Sequence, residues 1–170
     1  MRTHLQTQIR TCVIVIIAGL FISGVTAFPL ETELQWLVQH SSVLPVAMQQ
    51  WLNTIYQAIR DTNEHYPYLS YGTDWLAFAH LVLAILFVGP LKDPVRNIWV
   101  IQFGMIASVL IVPLAFIAGH IRHIPFFWQL IDCSFGVICS VPLLICYYKI
   151  KRLAALEADR LQYVINEVSN

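Results

Sequence analysis

Apolar residues gather into four runs along this chain, at 11–30, 75–91, 95–118 and 126–148. Each is long enough, at about 1.5 Å per helical residue, to cross a hydrocarbon core of about 30 Å. Charged residues concentrate in the stretches between the runs, as expected where hydrocarbon cannot solvate charge. The pattern predicts an all-α integral membrane protein, a four-helix bundle.

Residues 31–73 are polar on average yet patterned. Met48, Trp51, Leu52, Ile55, Tyr56 and Ile59 fall at helical spacing, which predicts an amphipathic helix. Pro45 suits its start, and a shorter helix around Leu34, Leu37 and Val38 precedes it. The apolar face is expected to lie on the membrane surface or to cap the bundle on its extracytoplasmic side. The tail, 149–170, places Leu161, Val164, Ile165 and Val168 on one face and charges on the other, which predicts a cytoplasmic C-terminal helix. One membrane domain then accounts for residues 1–170.

Turn chemistry sets the expected boundaries. Gly72-Thr73-Asp74 opens the second run, with Asp74 as its N-cap, and Gly89-Pro90 closes it. Residues 92–97 form a tight connection in which Asp93 caps the third helix and Pro94 takes its first position. Pro113 falls inside that helix and predicts a kink. Gly119 to Pro125 is the turn into the fourth helix, and Tyr66, Tyr68 and Tyr71 suit an interfacial aromatic belt.

The first run follows Arg2 and Arg10 and resembles a signal peptide, with Val25-Thr26-Ala27 suited to cleavage before Phe28. Gly19, Ser23 and Thr26 recur at helical spacing as a small packing face, so the segment is expected to be retained. Lys and Arg then orient the chain. Arg2, Arg10, Lys92, Arg96, Lys149, Lys151, Arg152 and Arg160 fall on one side and Arg60 and Arg122 on the other, so both termini are expected in the cytoplasm.

Composition agrees with the pattern: 58% of residues are hydrophobic and 12% charged, about half the charge of a soluble domain. A formal net charge of zero, without a concentrated basic face, gives no expectation of a nucleic-acid partner. The expected partners are the lipid bilayer and another membrane protein or a second copy of the chain. Cys12, Cys133, Cys139 and Cys146 all lie in apolar runs without a C-x-x-C pair, so they read as small hydrophobes rather than a disulfide framework. No glycine-rich phosphate loop, G-x-S-x-G or H-E-x-x-H motif is present.

Two ionisable residues interrupt the apolar runs, His80 and Asp132, and lipid tolerates such residues where they face protein or water. With Trp75 and Trp128 as interfacial anchors, His80 lies about 7.5 Å inward and Asp132 about 6 Å inward, nearly level in the outer leaflet. Gln129, Asp132, Gly136, Cys139 and Ser140 form a polar and small stripe, Ala77, His80 and Ala84 a second, and Gly104, Ser108, Ile111, Ala115 and Ala118 a third.

Three uses of the His80 and Asp132 pair follow, besides proton or ion transport, for which no second set of ionisable residues continues a path to the cytoplasmic leaflet. It locks helix packing, with Arg122 closing the network at the rim. It forms an outward-facing ligand or catalytic site with Asp74, His120, Arg122 and Gln129 as ligand-binding candidates. Or it joins His120 or His123 in a metal or haem site, for which no diagnostic spacing exists, so no cofactor and no metal ligand is expected.

The residues Tyr71-Gly72-Thr73-Asp74-Trp75, Gly89-Pro90 with Asp93-Pro94-Val95-Arg96-Asn97, and Ile131-Asp132-Cys133-Ser134-Phe135-Gly136 resemble an uncharacterised family of small bacterial multi-pass membrane proteins. The resemblance covers residues 71–148. It implies the bacterial inner membrane and assigns no activity, cofactor or catalytic residue. The expected function is structural or interactive, and the alternative is the outward-facing site around His80 and Asp132.

Overall fold

The computed structural model describes residues 2–168, with side chains over 3–167. Among these residues the chain is helical without strands: α1 (Arg2–Ala27), α2 (Leu30–Gln39), α3 (Val46–His65), α4 (Pro67–Leu86), α5 (Val88–Lys92), α6 (Ile98–Ile121) and α7 (Phe126–Val168), with a 3-10 turn at Ser41–Val43. Four stretches, Thr3–Ala27, Pro67–Lys92, Ile98–Ile121 and Phe126–Glu167, are long and apolar enough to cross a membrane.

Proline explains most of the boundaries, because it lacks an amide hydrogen and its ring crowds the carbonyl four residues back. Pro29 stops α1 at Ala27, short of the expected residue 30, and precedes α2. Pro45 takes the cap position of α3, its carbonyl accepting from the Gln49 amide at 3.1 Å. Pro67 is the first residue of α4. Pro90 sits in the first turn of α5, where its ring denies Leu86 a helical partner, and α4 ends there. Pro125 performs the same opening role for α7.

Several expected limits move. The first helix begins at Arg2 rather than 11, and within its polar turns Thr7 and Thr11 donate their hydroxyls to the carbonyls of Thr3 and Thr7 at 3.0 Å. Residues 67–73 belong to α4 rather than to the cap, and Asp74 is inside a helix instead of capping one. The third helix starts at Ile98: the Asp93 carboxylate accepts from the Arg96 amide at 3.0 Å, but this closes a turn, and Asn97 holds the N-cap position without a side-chain capping bond, its side-chain amide donating back to the Gly89 and Asp93 carbonyls. The tail is a continuation of the fourth helix. At about 1.5 Å per residue, the 43 residues of α7 extend about 64 Å.

The chain divides into two compact units, one combining the residues up to Ala18 with those from Ile85 onward, the other Gly19–Ala84. The first unit is built on the α6–α7 hairpin. On α7 the buried positions Gln129, Gly136, Leu143, Cys146, Ile150 and Leu153 run down one face at spacings of three, four and seven, a coiled-coil-like seam. Gly136 lies so close to α6 that a Cβ there would stand 2.6 Å from the Ser108 carbonyl oxygen. Leu5, Ile9 and Val13 supply the buried face of α1 in this unit, and Lys149 Nζ donates to Gln8 Oε1 at 2.6 Å.

The second unit packs α2 against α3 and α1 against α4. Gly24 makes the closest approach, where a Cβ would lie 2.9 Å from the Ala77 carbonyl oxygen. Gly19 has nothing within 4 Å of an added Cβ and Ser23 is exposed, so the small face of α1 that packs is centred on Gly24 and not on Gly19, Ser23 and Thr26.

Candidate functional site

A cavity of about 100 Å³ with both polar and apolar lining lies in the second unit, where the C-terminal end of α1, the start of α2, the end of α3 and the early turns of α4 meet. Its polar lining is Glu31, Thr32, Asn63, Ser70, Thr73 and Asp74, and Phe28, Pro29, Leu30 and Ile59 complete it. Helical spacing assembles the site: Thr73 and Asp74 each follow Ser70 by one turn on α4, and Asn63 follows Ile59 by one turn on α3.

The Asn63 amide is the hub. Its nitrogen donates to Glu31 Oε2 at 2.6 Å, and its oxygen accepts from the Ser70 hydroxyl, so one side chain ties α2, α3 and α4 together. Glu31 also lies in the first turn of α2, where the helix dipole favours its negative charge. The charged residues of this lining, Glu31 and Asp74, are both acidic. The chemistry offered is therefore a set of oxygen acceptors with hydroxyl donors, suited to water, a small cation or an amine.

Of the candidate site residues expected from the sequence, Asp74 alone lines this cavity. His80 and Asp132 fall in different compact units. The His80 ring is half-buried, and its Nδ1 donates to the Leu76 carbonyl oxygen at 2.8 Å, one turn back on the same helix. His40 makes the same bond to Trp36 at 2.8 Å, so this is a local way for a helical histidine to satisfy a donor. Asp132 is half-buried on α7, and no hydrogen bond or ion pair joins it to Arg122 among the described residues.

His120, Arg122 and His123 are exposed at the end of α6. There the His123 amide donates to the His120 carbonyl at 3.2 Å and the Ile124 amide to the Gly119 carbonyl at 2.9 Å, with His123 at φ 55°, the paired bonds of a Schellman ending. Gln129 is buried with its amide nitrogen on the Ile124 carbonyl oxygen at 2.7 Å, and its side chain fills the space beside Gly119. It brackets the turn between α6 and α7.

Glu31, Asn63 and Ser70 were not among the residues the sequence pattern singled out. Asn63 and Ser70 lie in the polar 31–73 segment beyond its patterned apolar positions, and Glu31 follows the apolar run as an ordinary flanking charge. The signal that was present is the i, i+4 spacing of Ser70 and Asp74, visible once residues 67–74 are taken as helix. Among the described residues no three His, Cys, Asp or Glu side chains gather as a metal-holding group. Comparison of the chain with protein-family models, curated proteins and solved structures finds no match.

Proposed function

We propose that the chain is a multi-pass protein of the bacterial inner membrane, crossing it four times with both termini in the cytoplasm, and that its role is structural or interactive. The observation that carries this reading is α7 itself. One uninterrupted helix joins a membrane-length apolar stretch, holding the half-buried Asp132, to a projecting part on which Leu161 and Val164 are 65% and 46% exposed. The roughly 20 residues beyond Tyr148 reach about 30 Å from the bilayer, an arm whose apolar stripe suits a partner helix from a second copy or another membrane protein.

Exposed apolar side chains support the membrane reading. Phe21, Ile85, Val109 and Ile138 are 56%, 70%, 66% and 64% exposed, and such surfaces need lipid around them. The lysine and arginine bias and the family resemblance support the inner membrane and the orientation.

Two measurements test this. With cysteine placed at Arg60 or Arg160 in a background lacking the native cysteines, an impermeant maleimide is expected to label the first in intact cells and the second after permeabilisation; the reverse order overturns the topology. A photo-crosslinking residue at Leu161 or Val164 is expected to give a discrete adduct, and absence of any adduct at both overturns the interactive role.

The cavity around Asp74 favours a second reading, an outward-facing site for a small cationic ligand, centred there rather than on His80 and Asp132. Its volume of about 100 Å³ suits an ion with a few waters and falls below the roughly 300 Å³ of ordinary small-molecule pockets. A calcium-dependent rise in melting temperature that Asp74→Asn abolishes is the expected result. No rise in the native chain removes this reading.

A further inference from the structure

A second cavity lies in the unit that holds α6 and α7. It is a groove of about 430 Å³ lined by His4, Leu5 and Gln8 of α1 and by Tyr148, Lys149 and Arg152 of α7. Its charge is of one sign, since no carboxylate contributes to the lining. Lys149 and Arg152 stand three residues apart, on one helix face, and His4 and Gln8 four apart on the other helix. The bond from Lys149 Nζ to Gln8 Oε1, at 2.6 Å, spends one of three ammonium hydrogens and fixes the charge between the helices. Arg152 is exposed, with its guanidinium fork available for a bidentate contact. Lys151, the neighbouring base, is different: it lies 5.9 Å from the centre of the Tyr147 ring and lines no part of the groove.

Depth decides what reaches this groove. From Trp128 to Lys149 the helix rises about 32 Å, close to the hydrocarbon thickness of about 30 Å, so with Trp128 at one interface the groove opens at the headgroup level of the other. A basic flank is what orients any membrane helix, but here two of its charges are assembled with α1 side chains into a concavity. We propose that the groove binds a phosphate group, and that at this depth the group belongs to an anionic phospholipid of the cytoplasmic leaflet. Lys149 and Arg152 neutralise the phosphate, and His4, Tyr148 and Gln8 meet the polar part of the headgroup. The inference rests on the four-span topology proposed above.

The test is thermal unfolding and native mass spectrometry of the full chain in phosphatidylcholine nanodiscs with and without phosphatidylglycerol. Phosphatidylglycerol is expected to raise the melting temperature and remain bound, with Arg152→Gln and Lys149→Gln each weakening retention about fivefold and Lys151→Gln leaving it unchanged. Arg152 is exposed, so its variant carries the result if the Lys149 variant fails to fold. Equal retention by Arg152→Gln and the native chain overturns the site, as does an equal loss in Lys151→Gln, which would mean diffuse attraction. Inorganic phosphate alone, added to phosphatidylcholine nanodiscs, is expected to have no effect; a full rise would assign a soluble phosphate and overturn the lipid. Maleimide labelling at Arg160→Cys separates the two failures, because a cytoplasmic tail with no lipid effect sinks this inference and leaves the topology standing.

Discussion

Gly136 and Gly19 are the same residue in two apolar helices and carry opposite physical meaning. A Cβ at Gly136 meets the backbone oxygen of Ser108 at 2.6 Å, which no side-chain rotation relieves, whereas at Gly19 it meets nothing within 4 Å. Gly136→Ala is therefore expected to force α6 and α7 apart and to destabilise the protein by about 1–3 kcal/mol, while Gly19→Ala is neutral or stabilising by up to about 1 kcal/mol through helix propensity. Thermal unfolding of both variants in one detergent checks the contrast, and equal melting temperatures would contradict it. The hydroxyls beside these contacts act within their own helices: Ser108 donates to Gly104, Ser134 to Ile131 and Ser140 to Gly136, at 2.9, 2.6 and 2.7 Å. Small residues thus bring the helices together by shape, and their hydroxyls need no partner across the interface. The Gly104, Ser108 and Gly136 faces were legible in the sequence because one small residue per turn marks a packing stripe. Gly24 was not, because Gly19, Ser23 and Thr26 advertise an adjacent face with the same spacing.

At the scale of elements, helix ends were less legible than helix existence, and the reasons are specific. Asp74 follows Gly72 and Thr73, a sequence suited to opening a helix, but Pro67 already supplies the first position seven residues earlier and the helix runs through. That single shift moves Asp74 from a cap to the wall of a cavity. The end of the third run was read as a turn from Gly119 to Pro125, but α6 continues to Ile121, and Gly119 is not the left-handed residue of the ending. His123 takes that conformation, at φ 55°, where a side chain crowds the backbone. Replacing it with glycine keeps both Schellman hydrogen bonds and relieves the crowding, so His123→Gly is expected to stabilise by about 0.5–1 kcal/mol, read as a higher melting temperature. A lower melting temperature would mean that the imidazole makes contacts worth more than the strain. The tail was legible as a helix from its spacing, but not as part of α7, because the basic flank at Lys149, Lys151 and Arg152 looks like an ending, whereas side-chain charge leaves the backbone hydrogen-bond ladder intact.

For the whole molecule, the spans of α6 and α7 agree on one thickness. From Trp99 to Ile121 α6 rises about 33 Å, and from Trp128 to Tyr148 α7 rises about 30 Å, each bounded by residues that are aromatic or adjoin a polar turn. The apolar part of α1, from Thr11 to Ala27, is shorter, about 24 Å, but Arg10 at its edge has a long apolar stem that lets its charge reach the interface. Within α6 and α7, Pro113 and Pro142 each remove one backbone hydrogen bond, and a bend there shortens the projected length without changing the residue count. A protein whose spans match a core of about 30 Å is expected to be most stable in bilayers of that thickness. Thinner bilayers expose the Phe, Ile and Val side chains that now need lipid, and thicker ones draw the polar turn at Asp93 to Asn97 and the basic flank at Lys149 toward hydrocarbon. Melting temperatures across phosphatidylcholines of increasing acyl length should therefore pass through a maximum, with the fall on the thick side steeper because burying charge costs more than exposing methyl groups. A monotonic rise with acyl length would mean that the spans are longer than the aromatic and charged boundaries indicate.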